Sequence, residues 1–328
     1  MTETTENIPA QSTQLNDRRA LTSGVLCYLL WGLLPVFWKL LSAIPSAEVQ
    51  AHRMLWCALC VFVFCLITKT HFVHLFKDKR AVLVFLASGV LITINWLVYV
   101  FDINTGHAID ASLGSYLTPT VNVIIGVLLF KERPSLLQGI AIGLATVGIL
   151  ILTTSSGEFP TSALVLAVSF ALYGGIKKWG GYPASEGMAL ENLFTGALGL
   201  AAVIAGMIFP ALFAALTPVE NPASYAISPD AGLPVFLLLV AGGLVTWLPL
   251  QLFAKAVNGL SMITISFCQY ISPTLCLLCA IFLFEEPFTW ADIVCFALIW
   301  IGISLEIVHE TRMQKAHRNG VPGKNVVE

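Results

Sequence analysis

Residues 116–120 read YLTPT, and residues 270–274 read YISPT, 154 positions further along the chain. The correspondence continues at the same offset, since FKE at 130–132 matches FEE at 284–286. Two proline-containing segments that agree in order and in spacing indicate an internal repeat. The repeat predicts that the chain is built from two related halves.

The composition of the 328-residue chain is that of a membrane protein. Hydrophobic residues make up 57% and charged residues only 11%, with a mean hydropathy of +0.84, whereas charged residues make up about 25% of soluble domains. Apolar stretches long enough to cross a bilayer recur along the chain. We predict an all-α polytopic membrane protein whose ten transmembrane helices lie at 20–41, 46–68, 80–102, 107–130, 136–153, 161–178, 187–209, 232–254, 258–284 and 289–307.

Basic residues are distributed unevenly between the two ends of these helices. Fifteen of the seventeen lie in the two tails or in every second loop, and the alternate loops contain none. Because cytoplasmic loops are enriched in Lys and Arg, both termini are predicted to be cytoplasmic. The two exceptions are Lys39 and Arg53, which lie at the end and near the start of predicted spans and are not explained by topology.

Each copy of the repeat contains five predicted helices. The first copy covers 20–153 and the second 154–307, between a disordered cytoplasmic tail at 1–19 and a cytoplasmic tail at 308–328. An odd number of spans inverts the second copy relative to the first in the membrane. Inverted repeats are typical of secondary transporters, in which two related conformations open one site to opposite faces.

Several segments in order resemble those of a known family. They are LWGLLPVFWK (30–39), EVQAHRMLW (48–56), INW (94–96), DASLGSYLTPTVN (110–122), FKERP (130–134), FCQYISPT (267–274) and FEEP (284–287). In these segments the chain resembles the RarD-type permeases of the EamA branch of the drug/metabolite transporter superfamily. The resemblance implies ten helices in an inverted five-plus-five arrangement, a bacterial inner-membrane location and export of small metabolites or drugs.

Matched prolines, Pro119 and Pro273, mark the candidate substrate cavity. A proline inside a helix frees a backbone carbonyl, which in a membrane must lie against another helix or a wet cavity. Equivalent helix breaks in both halves therefore point to a transport site. The polar residues predicted to line it beside the prolines are Ser115, Tyr116, Gln269 and Tyr270. The alternative is that these residues only join helices to one another.

A second group of candidates combines tryptophan with amide side chains: Asn95 and Trp96 in the third predicted helix, and Trp247 and Gln251 in the eighth. An aromatic wall with a few amides suits a ligand that is part apolar and part polar. The alternative is packing between helices.

Ionisable residues within the spans form the third group of candidates, since such residues are functional by default when they face the interior. They are Arg53, Asp102 and Asp110 near the outer side and Glu191 near the inner side. We expect Arg53 to pair with Asp110, with Glu48 or Asp102 as alternative partners. Three roles stay open: an ion pair that gates access, a carboxylate that couples transport to protons, or a static brace.

Catalytic and cofactor motifs are missing from the sequence. It contains no phosphate-binding Gly-rich loop with a Lys and no nucleophile elbow. Its eight cysteines all fall in apolar runs, and no His/Cys quartet with zinc spacing accompanies the CxxC pairs Cys57–Cys60 and Cys276–Cys279. We therefore expect no enzyme activity, metal or cofactor, and no nucleic-acid partner. The partners expected are a small-molecule substrate and the lipid bilayer, and the oligomeric state stays open.

The resulting prediction is an inner-membrane permease that exports small organic molecules by alternating access through a central cavity. The alternative is a membrane-embedded enzyme or scramblase acting on a lipid-linked substrate, which would require a reactive constellation or a polar lateral opening in the spans. A channel is a third reading, but the apolar, aromatic middle of the chain offers no ring of charges or carbonyl filter.

Overall fold

The computed structural model describes residues 10–131, 134–209, 211–217, 232–259 and 268–318, and these residues are predominantly α-helical. The helices are α1 (Ala10–Lys39), α2 (Ser46–Thr68), α3 (Lys79–Thr105), α4 (Ala108–Phe130), α5 (Leu136–Ser156), α6 (Thr161–Gly180), α7 (Ala184–Ile208), α8 (Ala211–Leu216), α9 (Gly232–Gly259), α10 (Ile271–Leu278) and α11 (Trp290–Arg318). A short 3₁₀ helix (Val73–Lys77) precedes α3, and a π-helical turn (Cys279–Leu283) continues α10.

Several helices have the bounds that the apolar segments predict. The segment predicted at 46–68 is α2 without change, and those predicted at 107–130 and 136–153 differ from α4 and α5 by three residues or fewer. Apolar length is a local property, so it marks a span before any packing is known. Glu132, Arg133, the loop at 218–231 and the start of the ninth predicted span at 260–267 lie outside the described residues.

The two ends of the chain differ from the prediction. Helix α1 begins at Ala10, inside the segment predicted to be a disordered tail at 1–19. Helix α11 continues to Arg318, beyond the span predicted to end at 307. Neither extension contains Pro or Gly, and adding residues to an existing helix is far easier than starting a new one. Polar sequence alone therefore does not mark where these helices stop.

The helices have the surface of a membrane protein. Within the described residues, seven helices are long and apolar enough to cross a bilayer, and Ile271–Leu283 and Trp290–Leu305 are shorter apolar helices. Between 22% and 50% of each of the seven spans is buried inside the protein. Large apolar side chains such as Leu66, Leu150 and Ile301 are exposed. An apolar exterior of this extent requires an apolar surrounding, so the chain is a polytopic membrane protein.

Helices far apart in sequence form the main packing interfaces. The most extensive pairs are α5–α11, α2–α7, α4–α6, α3–α6, α1–α9, α2–α9, α1–α10, α3–α7 and α4–α10. All nine of these pairs join a helix of the first half of the chain to one of the second. The two halves are therefore interleaved rather than stacked as separate bundles.

Small residues allow several of these interfaces to be close. A Cβ on Gly243 of α9 would lie 2.4 Å from the Trp56 Cβ and 2.5 Å from the Trp56 carbonyl carbon on α2. A Cβ on Gly199 of α7 would lie 2.7 Å from the carbonyl oxygen of Ala51, also on α2. Close backbone approach at small residues is a common way for helices to associate in lipid. Helix α2, which carries Arg53, is thus held between α7 and α9.

Candidate functional site

Arg53 lies one-third of the way along α2 and faces the protein interior, with only 6% of its surface exposed. Its Nε donates a 2.9 Å hydrogen bond to Gln50 Oε1. Its guanidinium carbon lies 4.3 Å from the centre of the Trp96 ring on α3. Gln50 precedes Arg53 by three residues and so shares its face of the helix. Gln50 was not among the residues predicted from the sequence, although its spacing from Arg53 places both on one face of α2.

The expected partner of Arg53 is not the one found. Among the residues that the structure describes, Arg53 forms no ion pair with Asp110, Glu48 or Asp102. Asp110 begins α4 and lies beside His107. Helix α4 packs mainly against α6 and α10, whereas α2 packs mainly against α7 and α9. The two charges therefore belong to different interfaces.

Two of the predicted acids do lie together at the junction of α3 and α4. The turn between these helices is closed by Gly106 at φ 82°, whose N–H donates to the Asp102 carbonyl. This brings Asp102, which is 2% exposed, close to Asp110. Lys39 lies nearby, with its Nζ donating to the Ile103 carbonyl at 3.3 Å. No group of three or more His, Cys, Asp or Glu side chains arranged to hold a metal ion occurs in the described ranges.

Glu191 is the centre of a buried polar network at the interface of α3, α6 and α7. Its carboxylate lies 3.1 Å from the Lys177 Nζ and accepts hydrogen bonds from the Tyr173 hydroxyl at 3.1 Å and the Ser88 hydroxyl at 2.6 Å. Lys177 also donates to the Tyr173 oxygen at 2.8 Å. Glu191 is 5% exposed, so the network satisfies a charge that would otherwise be buried alone. The sequence analysis interpreted Lys177 only as a topology signal.

The repeated motifs meet at the interface of α4 and α10. The rings of Tyr116 and Tyr270 are nearly parallel, with an interplanar angle of 15° and centroids 6.3 Å apart. The Tyr116 hydroxyl hydrogen-bonds the Thr274 hydroxyl. Ser112 donates to the carbonyl of Pro273 at 2.8 Å, so a backbone group near the proline is satisfied by the neighbouring helix. The equivalent residues of the two motifs are thus in direct contact.

Two other predicted cavity residues are occupied in joining or bracing helices. The amide nitrogen of Asn95 on α3 donates to the Leu166 carbonyl at 2.8 Å and to the Ser169 hydroxyl at 3.0 Å, both on α6. Ser115 donates to the Ala111 carbonyl one turn earlier in α4. The Asn95 contacts connect α3 to α6, whereas the Ser115 bond lies within α4.

The remaining candidates lie on α4, on α9 and just before α10. Trp247 packs edge-on against Phe64 of α2, with ring centroids 6.0 Å apart. Its indole nitrogen is enclosed and has no hydrogen-bond partner among the described atoms. Pro119, Gln251 and Gln269 are half-buried.

An apolar groove opens between α2 and α7. It has a volume of about 300 Å³, and its lining includes Leu55, Leu59, Phe62, Ala189 and Leu193. The predicted cavity residues do not line it. It is therefore distinct from the candidate site around Arg53.

Glu286 is a structural residue that the sequence analysis did not select, although the repeat drew attention to its segment. Its two carboxylate oxygens accept hydrogen bonds from the backbone N–H groups of Ala108 at 2.8 Å and Ile109 at 2.9 Å. These are free donors of the first turn of α4, so Glu286 acts as its N-cap from a distant part of the chain. The π-helical turn after α10 aims Glu286 there, since the Glu286 N–H returns to the Ala280 carbonyl.

Replacing Glu286 by Ala is expected to destabilise the protein by about 2 kcal/mol, because two charge-assisted hydrogen bonds to buried N–H groups are lost. The measurement is thermal unfolding of the purified protein in detergent. The matched control is Glu285→Ala, which removes a neighbouring exposed carboxylate and is expected to change stability by less than about 0.5 kcal/mol. Equal effects of the two variants would contradict the capping role.

A second arginine–tryptophan contact lies at the end of α6 that faces α3. The Arg80 guanidinium carbon lies 4.4 Å from the centre of the Trp179 ring, and its Nη2 donates to the Trp179 carbonyl at 2.9 Å. Beside it, the Tyr182 hydroxyl donates to Asp78 at 2.6 Å and lowers the pKa of that carboxyl. Arg80 is exposed, so this cluster is a surface counterpart of the buried contact between Arg53 and Trp96.

Known proteins match this chain over nearly its whole length. An uncharacterized transporter of Pseudomonas aeruginosa is 37% identical over 88% of this chain and 93% of its own length. The protein RarD of Escherichia coli is 31% identical over 91% of this chain and 97% of its own. The pattern that defines the EamA-like transporter family matches residues 18–154. The chain is a RarD-type member of the EamA-like transporter family.

Other relatives of this EamA-family transporter agree with the assignment. An uncharacterized transporter of Bacillus subtilis is 33% identical over 92% of this chain and 98% of its own length. A solved crystal structure has a TM-score of 0.53 and 16% identity, covering 90% of this chain and 97% of that one, which indicates a shared fold. The family implies a small-molecule substrate and a position in a membrane. The resemblance found in the sequence motifs is confirmed.

Proposed function

We propose that this EamA-family protein is a secondary transporter of the bacterial inner membrane that exports small organic metabolites or drugs by alternating access. In this proposal ten spans form two inverted five-helix repeats, 20–153 and 154–307, around a central cavity, with both termini cytoplasmic. The observation that carries the proposal is the way in which the helices pair. The distribution of basic residues supports the orientation, because the two tails and every second loop carry them.

The set of packed helix pairs stays the same when each helix is replaced by its counterpart in the other half of the chain. Under the exchange, α1 to α5 correspond to α6, α7, α9, α10 and α11. The pairs α2–α7, α4–α10 and α5–α11 then map onto themselves, while α4–α6 maps onto α1–α10, α3–α6 onto α1–α9, and α3–α7 onto α2–α9. All nine of the principal interfaces obey this rule. Such a relation supports two conformations of similar energy, which alternating access requires.

Side-chain contacts support the same relation between the halves. The tyrosines of the two motifs, Tyr116 and Tyr270, stack against each other at the α4–α10 pair, which maps onto itself. Residues related by a twofold axis meet only near that axis, so the motifs lie close to it in the proposal. In the proposal, Tyr116 and Tyr270 exchange their environments when the protein changes from its inward-opening to its outward-opening conformation.

Two clusters are the proposed gates or coupling groups. One is the network of Glu191 with Lys177, Tyr173 and Ser88, which joins three helices and would separate if α7 moved relative to α3 and α6. The other is the acid pair Asp102 and Asp110 at the junction of α3 and α4. Between them lie Arg53 and Trp96.

The experiment that tests the proposed function is solute export from proteoliposomes. Vesicles containing the purified transporter are loaded with radiolabelled amino acids or small aromatic drugs, and efflux is followed with and without an imposed pH gradient. At least one solute is expected to leave faster than from protein-free vesicles, and a gradient-dependent rate would identify coupling. If no solute moves faster under any gradient, the transport proposal fails. Transfer of labelled lipid between leaflets in the same vesicles would favour a scramblase instead.

A further inference from the structure

The guanidinium of Arg53 is a buried charge without a negative partner in the described part of the chain. The side chain is 6% exposed, and its contacts are one hydrogen bond to Gln50 and the face of Trp96. Some polar side-chain atoms of the protein are fully enclosed and have no hydrogen-bond partner, but Nη1 and Nη2 of Arg53 are not among them. Among the described residues these nitrogens have no hydrogen-bond partner, and they are not fully enclosed.

The direction of the guanidinium is fixed by its surroundings. Gln50 Nε2 donates to the Thr93 carbonyl at 3.4 Å, which turns its Oε1 towards Arg53 Nε. Trp96 covers one face of the guanidinium, and its ring is itself held edge-on by Tyr99 with centroids 5.6 Å apart. Because Nε is occupied and one face is covered, the free edge presents Nη1 and Nη2 side by side.

These contacts do not compensate the charge. A buried ion loses most of its hydration, an amide oxygen is neutral, and a cation–π contact offsets only part of that loss. Proteins usually solve this with a carboxylate, as Glu191 does for Lys177. At Arg53 the described residues supply no such acceptor, and a bound carboxylate would complete the site.

In the same protein, Arg80 is an arginine whose guanidinium connects two helices. It stacks on Trp179 at nearly the same distance as Arg53 on Trp96, but it directs a terminal nitrogen to the Trp179 carbonyl. Its terminal nitrogen is used to join α3 to α6. The terminal nitrogens of Arg53 join no helices in this way.

We propose that Arg53 is the binding site for the carboxylate of the transported molecule. Its two terminal nitrogens bind the two carboxylate oxygens, and the aromatic pair of Trp96 and Tyr99 contacts the apolar body. A planar fork matches a carboxylate in two parallel hydrogen bonds, and a single positive charge suits a monoanion. This rests on the proposed function and assigns the substrate class: small monocarboxylates with an apolar or aromatic portion.

The test measures ligand binding separately from transport. Phenylacetate, benzoate and hexanoate are each titrated into the purified full-length protein, with the corresponding neutral amides as controls, and the shift in thermal unfolding reports binding. At least one carboxylate is expected to raise the unfolding midpoint while its amide does not. Inorganic phosphate is titrated in the same way as a further control ligand. If phosphate stabilises as much as the best carboxylate, or if no carboxylate exceeds its amide, the inference is overturned.

Variants then assign binding to Arg53. Arg53→Lys keeps the charge but loses the fork, and it is expected to weaken carboxylate binding at least tenfold; Gln50→Ala, which frees the guanidinium to turn, is expected to weaken it severalfold. Arg80→Gln is the matched control and is expected to bind as the unchanged protein does. Unchanged affinity in Arg53→Lys and Gln50→Ala overturns the inference. Both are expected to fold, since neither leaves a new buried charge.

Transport measured on the same preparations separates the two proposals. Carboxylate binding that depends on Arg53, without any export from vesicles, would keep Arg53 as a carboxylate site but remove the proposed transport and with it the role of that carboxylate as a transported substrate. If neutral solutes were exported equally well by Arg53→Lys and no carboxylate bound specifically, the proposed transport function would stand and the carboxylate site at Arg53 would fail.

Discussion

Replacing Lys177 by Met is expected to lower the free energy of unfolding by about 3 kcal/mol. The substitution keeps the apolar stem but removes the ammonium that lies 3.1 Å from Glu191. Glu191, 5% exposed, would then be a buried carboxylate with only the hydroxyls of Tyr173 and Ser88 as donors. Removing one partner of a buried ion pair typically costs about 3–5 kcal/mol, and the partial exposure of Lys177 places it at the lower end. Equilibrium unfolding of the purified protein measures the change.

Two further variants separate this effect from a general loss of charge. Lys178→Met removes the adjacent exposed lysine and is expected to change stability by less than about 0.5 kcal/mol. The double variant Lys177→Met with Glu191→Gln removes both charges and is expected to recover most of the loss, because a neutral amide is far easier to bury than an unpaired carboxylate. If Lys177→Met were no worse than Lys178→Met, the pair would be structurally unimportant.

Adding a single methyl group at Gly243 is expected to have an effect of similar size. In Gly243→Ala the new Cβ would lie 2.4 Å from the Trp56 Cβ and 2.6 Å from the Cys57 backbone nitrogen. Backbone atoms cannot move aside as a flexible side chain can, so α2 and α9 must separate. Overpacking usually costs about 1–3 kcal/mol, and more when backbone must shift; we expect about 3 kcal/mol. Thermal unfolding in detergent measures it.

Gly143→Ala in α5 is the matched control for Gly243→Ala. Both glycines lie inside long apolar helices, but a Cβ at Gly143 would meet no atom within 4 Å. The control is therefore expected to be neutral or slightly stabilising, because Ala has a higher helix propensity than Gly. Similar midpoints for both variants would mean that the α2–α9 contact is looser than the structure indicates.

The transmembrane character of the chain was predictable from local sequence. Helix α2 begins and ends where its apolar run does, at Ser46 and Thr68, because a span in lipid must bond its own backbone and expose apolar side chains over a fixed length. Ala10 and Arg318 were not predictable as helix ends, since helix extension into polar sequence depends on no apolar signal. The family, too, was recognisable from its motifs.

The candidate residues were predictable as a set, but their partners were not. Glu191 was selected because a carboxylate within a span is unusual, yet its partner Lys177 looked like one more basic residue at the inner end of a helix. Arg53 was selected for the same reason, and its expected partner was Asp110, with Glu48 or Asp102 as alternatives. In the structure its neighbours are instead Gln50 and Trp96.

The sequence by itself determined that this protein is an α-helical membrane protein of the EamA family, because apolar length and motif order are properties of the chain read locally. Tertiary structure alone decided which side chains meet. Successive residues of a helix point about 100° apart, so the rotation and crossing of helices distant in sequence determine each contact. That geometry gave Glu191 a cation and left Arg53 with an indole and an amide as its neighbours.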